Sequence, residues 1–295
     1  KILIREGSAA KNFDALHPLF KTCPEQLMLC SDDKHPDDLV KGHINALVAR
    51  CLEKGYPLFD VLDAACRNPV KHYNLPVGQL KEGDLADFII VKDLQTMEVS
   101  KTFIDGKLVA EEGASKIESV KEEPFNRFKT GKKQPGAFRV KAQGEKLRVI
   151  VALPNEIVTD ALVANAKSVG EEAVSDIDND ILKITVVNRY SDAPPAVGFI
   201  RGLGLRKGAI ASSVAHDSHN IIAVGADDIS LSSAVNALIE EGGGLAVAIG
   251  ETASVLPLPV AGLMSLKTGD EVAKEYEQLN KKAKALGTSL YAPFM

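Results

Sequence analysis

Short unbroken apolar runs alternate with amphipathic stretches over the first quarter of the chain. Residues 2–4 form an apolar run with the length of a buried strand, and residues 27–30 form a second that ends at Ser31, Asp32 and Asp33. Between them, residues 9–20 read as a helix. After Pro36 the acidic pair Asp37 and Asp38 offers an N-terminal cap. Leu39, Ile44, Leu47, Val48, Cys51 and Leu52 then recur at helical spacing as far as Gly55, which predicts one amphipathic helix. A second helix follows Pro57, with Leu58, Val61, Leu62, Ala65 and Cys66 on one side, and is expected to end before Asn68 and Pro69. Two strand–helix units of this kind suit the closing end of an α/β barrel.

The period shortens after Pro76. Residues 88–91 and 102–109 read as short strands, the latter folded into a hairpin across Asp105 and Gly106. Residues 111–136 are rich in Lys, Glu, Gly and Pro with weak periodicity, and read as a surface connector. From Leu147 alternation returns: strands at 149–152, 181–187, 210–214, 221–225 and 245–249, a helix after Thr159, a helix at 231–241 stopped by three glycines, and a last amphipathic helix at about 270–286 before Gly287. The expected organisation is therefore an α/β fold with last barrel units at 1–75, a small β unit at 76–112, a connector at 113–145 and an α+β domain at 146–295.

Composition narrows the class without deciding it. The chain has 295 residues, 45% of them hydrophobic, enough for two or three domains, and its net charge of -5 offers no basic patch for a nucleic-acid backbone. Its longest apolar runs fall far short of the ~18 residues of a membrane span. Four cysteines, Cys23, Cys30, Cys51 and Cys66, make no C-x-x-C pair, so buried reduced thiols and a cytoplasmic protein are expected. Lys1 to Ile4 reads as a strand already under way, with the expectation that the protein starts upstream.

Two polar clusters are candidates for chemistry. Ser31-Asp32-Asp33-Lys34-His35-Pro36 lies where a buried strand ends, the place where barrels put catalytic groups. A carboxylate there can bind a divalent cation and take a proton from the water it activates; equally, Asp32, Asp33, Asp37 and Asp38 suit turns and a helix cap. His216-Asp217-Ser218-His219-Asn220 separates two apolar strands, and its imidazoles can ligate metal, orient a substrate or carry protons, or the segment is a hydrogen-bonded turn. The glycines between Gly198 and Leu205 lack the order of a dinucleotide fingerprint and read as turn geometry.

Taken together, four motifs resemble the adenine deaminases of the amidohydrolase superfamily. They are residues 29–38 around Asp32; residues 65–75 with 78–91; residues 208–221 around His216 and His219; and Ala261-Gly262-Leu263-Met264-Ser265. The resemblance implies the end of a TIM-like amidohydrolase barrel, a small β-sandwich portion and the family's C-terminal domain. It implies hydrolytic deamination of adenine to hypoxanthine and ammonia, supported by Mn2+ or Fe2+ in a binuclear site. By the same resemblance Asp32 is the metal ligand and proton carrier, Asp33 bonds the purine, and His216, Asp217, His219 and Asn220 face the substrate, although their spacing does not choose between binding adenine and completing a metal shell. The family's H-x-H and its further histidines have no counterpart among the six histidines here. Most metal ligands are therefore expected outside this chain, which is expected to be cut at both ends, to be inactive alone, and to form a homo-oligomer or associate with the missing N-terminal part. Another cyclic-amide amidohydrolase, or a non-catalytic oligomerisation module, is the competing reading.

Overall fold

The two early apolar runs pair with each other in a computed structural model that describes residues 1–8, 11–118, 120, 123–154, 156, 158–216 and 218–294. Ile2–Arg5 (β1) and Leu27–Cys30 (β2) lie parallel, Ile2 opposite Leu27 and Arg5 opposite Cys30. The connection between them holds one short helix, Phe13–Leu16 (α1), followed by a 3-10 turn at His17–Lys21, in place of the longer helix expected at 9–20; Ala9 and Ala10 lie outside the described residues.

The expected helix of residues 39–52 is two helices, Pro36–Leu39 (α2) and Ile44–Glu53 (α3). Lys41 and Gly42 close a turn onto Asp38 and Leu39, and Gly42 is nearly fully extended, so the apolar face restarts at Ile44. The next helix does not stop at Asn68. Leu58–Leu62 (α4) runs through a wide π turn at Asp63–Arg67 into Asn68–Tyr73 (α5). Pro69 has no N–H to give the turn before it, and the wider turn accommodates that loss. Asn68 then finds a role of its own: buried, it donates from Nδ2 to the Leu27 carbonyl at 2.8 Å and ties α5 to β2.

Phe88–Val91 (β3), Val99–Ile104 (β4), Lys107–Glu111 (β5) and Ala114–Ser115 (β6) form an antiparallel sheet in that order. Asp105 and Gly106 both have positive φ, which matches the right-handed strand twist and explains why Asp-Gly makes this hairpin. Ile4, Phe13, Phe20, Leu29, Leu47, Cys51, Val61 and Met97 share one core. Lys1–Glu122 makes up the first of two units and Glu123–Met295 the second.

The second unit is built on an eight-stranded sheet. Val140–Lys141 (β7), Lys146–Ala152 (β8), Thr159–Asn165 (β9), Ser168–Val169 (β10), Glu172–Ala173 (β11), Ile181–Val187 (β12), Ala196–Arg201 (β13), Ala209–Ser212 (β14), Ile221–Gly225 (β15), Gly244–Ile249 (β16) and Thr252–Pro257 (β17) are the strands of this unit among the described residues. The large sheet has the order β17-β16-β14-β15-β12-β13-β8-β9, while β10, β11 and β7 make a small separate one. Asp228–Glu241 (α6) covers one face and Gly269–Ala285 (α7) the other. The period of two decides which: Ala209, Ala211, Ala223, Ala246 and Ala248 let α6 approach closely, whereas Ile210, Val224, Leu245, Val247 and Leu256 meet Tyr276, Leu279 and Ala283 of α7.

Where a helix is expected after Thr159, the chain makes β9. Leu162 and Ala164 turn inward while Ala161, Val163 and Asn165 stay exposed, a strand period, and β9 pairs with β8 along seven residues. Likewise Gly198 to Arg201, read as turn geometry, belongs to β13; the turn comes after it, where Asp180 accepts from the Gly202 and Gly204 N–H groups. The stretch before β7 docks on α6: Phe138 is fully buried in the α6-side core, the Lys133 carbonyl accepts from Ser232 and Asn236, and Lys183, itself buried, donates to the Phe138 carbonyl and to both oxygens of Asp228.

Of the cysteines only Cys51 is buried; Cys66 is exposed and the other two are half-buried, and all four are free thiols. Among the described residues no helix is long and apolar enough to cross a membrane.

Candidate active-site elements

Strands that run parallel send their following loops off the same edge, and this brings the Asp32 segment against the loop after β1. Ser8, almost fully buried, organises the junction. Its N–H donates to the Asp33 carbonyl at 3.0 Å, its hydroxyl donates to Asp38 Oδ2 at 2.8 Å, and the same hydroxyl accepts from the His35 N–H at 2.8 Å. Asp32 itself takes a left-handed backbone with φ 55°, which throws its carboxylate back over the strand end. Its Oδ2 accepts from Arg5 Nη1 at 2.5 Å and its Oδ1 from the Asp33 N–H at 2.8 Å. Asp33 is exposed beside it. His43, heading α3, meets the Ser31 hydroxyl through Nε2 at 2.9 Å.

Titration follows burial here. Desolvation holds His35 below the ordinary imidazole value against the opposing pull of Asp37, Asp38 and Asp33, and it lowers His43 with help from Lys34. Desolvation and then the Asp32 charge push the Cys30 thiol up. Both imidazoles are thus disposed to be neutral hydrogen-bonding groups near pH 7.

Among the described residues no three His, Cys, Asp or Glu side chains come together as a metal-holding group. Asp32 has one oxygen in an ion pair with Arg5, and a single carboxylate does not satisfy a divalent transition metal. The residues of this chain do not by themselves fit the metal site that the resemblance implies.

The second cluster is built by one end of the large sheet. The end of β12, the end of β14 and the start of β15 meet there, because Val187 is opposite Ile221 and Ser212 opposite Ile222. Residues 213–220, the segment that holds His216, Ser218, His219 and Asn220, cross between β14 and β15. His216 is exposed; His219, with φ 49°, is half-buried and its Nδ1 lies 3.2 Å from the Val214 carbonyl. Asn220 accepts at Oδ1 from the Arg189 N–H at 3.3 Å. Asp217 lies outside the described residues. Among its described residues the Ser218 N–H donates to the His216 carbonyl at 2.9 Å and the His219 N–H to the Ala215 carbonyl at 2.9 Å.

Ala261 and Gly262, from another motif, reach the same end. Ser213 is fully buried, and its hydroxyl donates to the Gly262 carbonyl at 2.6 Å and accepts from the Gly244 N–H at 2.8 Å. Arg189 Nη1 donates to the Ala261 carbonyl at 2.7 Å. A Cβ on Gly262, which has φ 72°, would fall 2.1 Å from that guanidinium, so glycine is required by close approach as well as by backbone shape.

Arg5, Ser8, Arg189 and Tyr190 lie outside every motif, and Ser213, inside the 208–221 motif, carries no chemical signal of its own in the sequence. The only signal for Arg189 and Tyr190 is a polar Asn-Arg-Tyr-Ser turn directly after the apolar run of β12, where Asn188 Oδ1 accepts from the Tyr190 and Ser191 N–H groups.

The profile of the adenine deaminase C-terminal domain matches residues 156–295, and that of the amidohydrolase family matches residues 4–109. An adenine deaminase of Salinibacter ruber is 53% identical over 297 residues, covering all of this chain and 54% of the relative. Those of Methanosarcina barkeri and Borreliella burgdorferi are 50% and 46% identical, each over all of this chain and 55% of the relative. The chain spans about half the length of the curated relatives it matches.

Proposed function

This chain belongs to the adenine deaminase family, as the C-terminal part of such a protein, and on that premise we propose that the whole protein hydrolyses adenine to hypoxanthine and ammonia. The observation that carries the reading is identity near 50% with adenine deaminases along the entire chain. The match of residues 156–295 favours adenine over another cyclic amide, because that domain is the adenine deaminase one.

In this reading 1–75 close an amidohydrolase barrel, 76–112 contribute to a β-sandwich, 113–145 connect, and 146–295 form the C-terminal domain. The parallel pair β1–β2, with both following loops at one edge, supports the first assignment. Asp32 is the proton carrier: water adds to C6 of the purine, Asp32 takes the proton that the water loses and hands it to the departing amine, and ammonia leaves. Asp33 accepts a hydrogen bond from a ring N–H. His216, Asp217, His219 and Asn220 contact the substrate. The metal that the family implies, manganese or iron, would supply an activated water when bound, and Asp32 is the residue of this chain that would help to hold it. On the same reading the protein acts in the cytoplasm, as a homo-oligomer or with this part associated with the N-terminal part.

Replacing Asp32 with Ala in the full-length protein is expected to lower turnover of adenine by at least about 100-fold, the scale of a lost general acid–base group, and to reduce bound metal per chain in elemental analysis with the thermal midpoint retained. Near-normal turnover in that variant rules the assignment out.

A further inference from the structure

Two residues outside every motif hold the two C-terminal motifs together. Tyr190 donates from its hydroxyl to the Ser218 carbonyl at 3.1 Å, inside the His216 to Asn220 loop. The same hydroxyl accepts from Arg189 Nη2 at 3.1 Å. Arg189 fixes the loop a second time through its own N–H to Asn220 and, through Nη1, the turn at Ala261. Its guanidinium lies 4.9 Å from the Tyr190 ring and 5.3 Å from that of Phe128.

Arg189 is 6% exposed and has no carboxylate partner among the described residues, and its Nε is buried with no hydrogen-bond partner. A desolvated guanidinium that donates to a backbone carbonyl is an expensive way to brace a turn; an apolar residue would pack at lower cost. What the guanidinium provides, and an apolar residue cannot, is direction: donors in a fixed plane, one aimed at each loop.

We propose that Arg189 and Tyr190 are positioning residues, which hold the His216 to Asn220 loop in register with the Ala261–Gly262 turn so that His219 presents one fixed face to the adenine. The inference rests on the reading that this loop meets the substrate. Neither residue touches a reacting atom. They act through the loop, so their loss lets the loop sample other conformers and weakens binding more than it slows chemistry.

The test is steady-state kinetics with adenine on the full-length protein carrying Tyr190→Phe, His219→Asn, or both. Asn tolerates the left-handed backbone of His219, and Tyr190→Phe removes one oxygen from a half-exposed ring. Tyr190→Phe is expected to raise KM about 3- to 10-fold, the effect of one to two hydrogen bonds, with kcat within about twofold and an unchanged thermal midpoint. The double variant is expected to match His219→Asn alone, since both changes act on one element. If Tyr190→Phe keeps the parent KM while His219→Asn raises it, the positioning role is wrong and the substrate contact stands. If His219→Asn keeps the parent KM, the substrate contact is wrong and the positioning inference falls with it. Effects that multiply in the double variant also overturn it, because they place Tyr190 on a separate path.

Discussion

Single residues in this chain take their meaning from what lies behind them. His35 follows Asp32 and Asp33 in a run that reads equally as turn or active site, and its behaviour is set by burial against the Ser8 junction. Because burial favours the neutral ring, folded His35 titrates below its ordinary value, while in the unfolded chain it titrates near about 6.5. The stability this gives is complete above about pH 6.5 and is lost as pH falls from there through the folded pKa, since the unfolded chain takes up the proton first. Urea midpoints of the full-length protein followed from about pH 7.5 to 5 are therefore expected to fall less steeply in His35→Gln than in the parent; parallel slopes would discount the effect. Candidate residues were legible by type and by position after a strand, so Asp32 could be picked out beforehand. Arg5, its ion-pair partner, could not, because only strand pairing brings residue 5 to residue 32.

Whole elements were legible where an end signal and a period agree. The Asp105-Gly106 hairpin, the three-glycine stop after α6 and the strand β15 are of this kind. β9 was not, because Thr-Asp-Ala-Leu-Val-Ala-Asn fits a helix as well as a strand until β8 is there to pair with it. The start of α6 illustrates a strong local signal: Asp227 Oδ1 accepts from the Ser230 N–H at 2.7 Å and its Oδ2 from the Ser230 hydroxyl at 2.8 Å. Asp227→Ala is expected to destabilise the second unit by about 1 kcal/mol in chemical denaturation, the usual worth of an N-cap. A change below about 0.3 kcal/mol would show that packing of Leu231, Val235 and Leu238 alone sets where α6 begins.

At the scale of the molecule, composition marks 113–145 as a connector, yet part of that stretch packs as core. Phe138 fills the α6-side cluster, and Lys133 and the Phe138 carbonyl bind α6, Asp192 and Lys183. A fragment of residues 123–295 is accordingly expected to unfold cooperatively, and one of residues 146–295 to be weaker by at least about 3 kcal/mol, the lower end for emptying the site of a buried Phe. Equal urea midpoints would return residues 123–145 to the status of a linker. The sequence by itself determined the α/β character, the placing of most strands, the stop of α6 and the extent of α7, the resemblance to adenine deaminases, and the polar clusters at Asp32 and His216, because periodicity, end signals and motifs are local properties. Only the tertiary structure decided that β9 is a strand, that Arg5 faces Asp32, that Phe138 is core, and that the His216 and Ala261 motifs share one end of a sheet under Arg189 and Tyr190. Each of those depends on contacts between residues far apart in sequence, and such contacts are set by register and packing across the sheet, which no local pattern records.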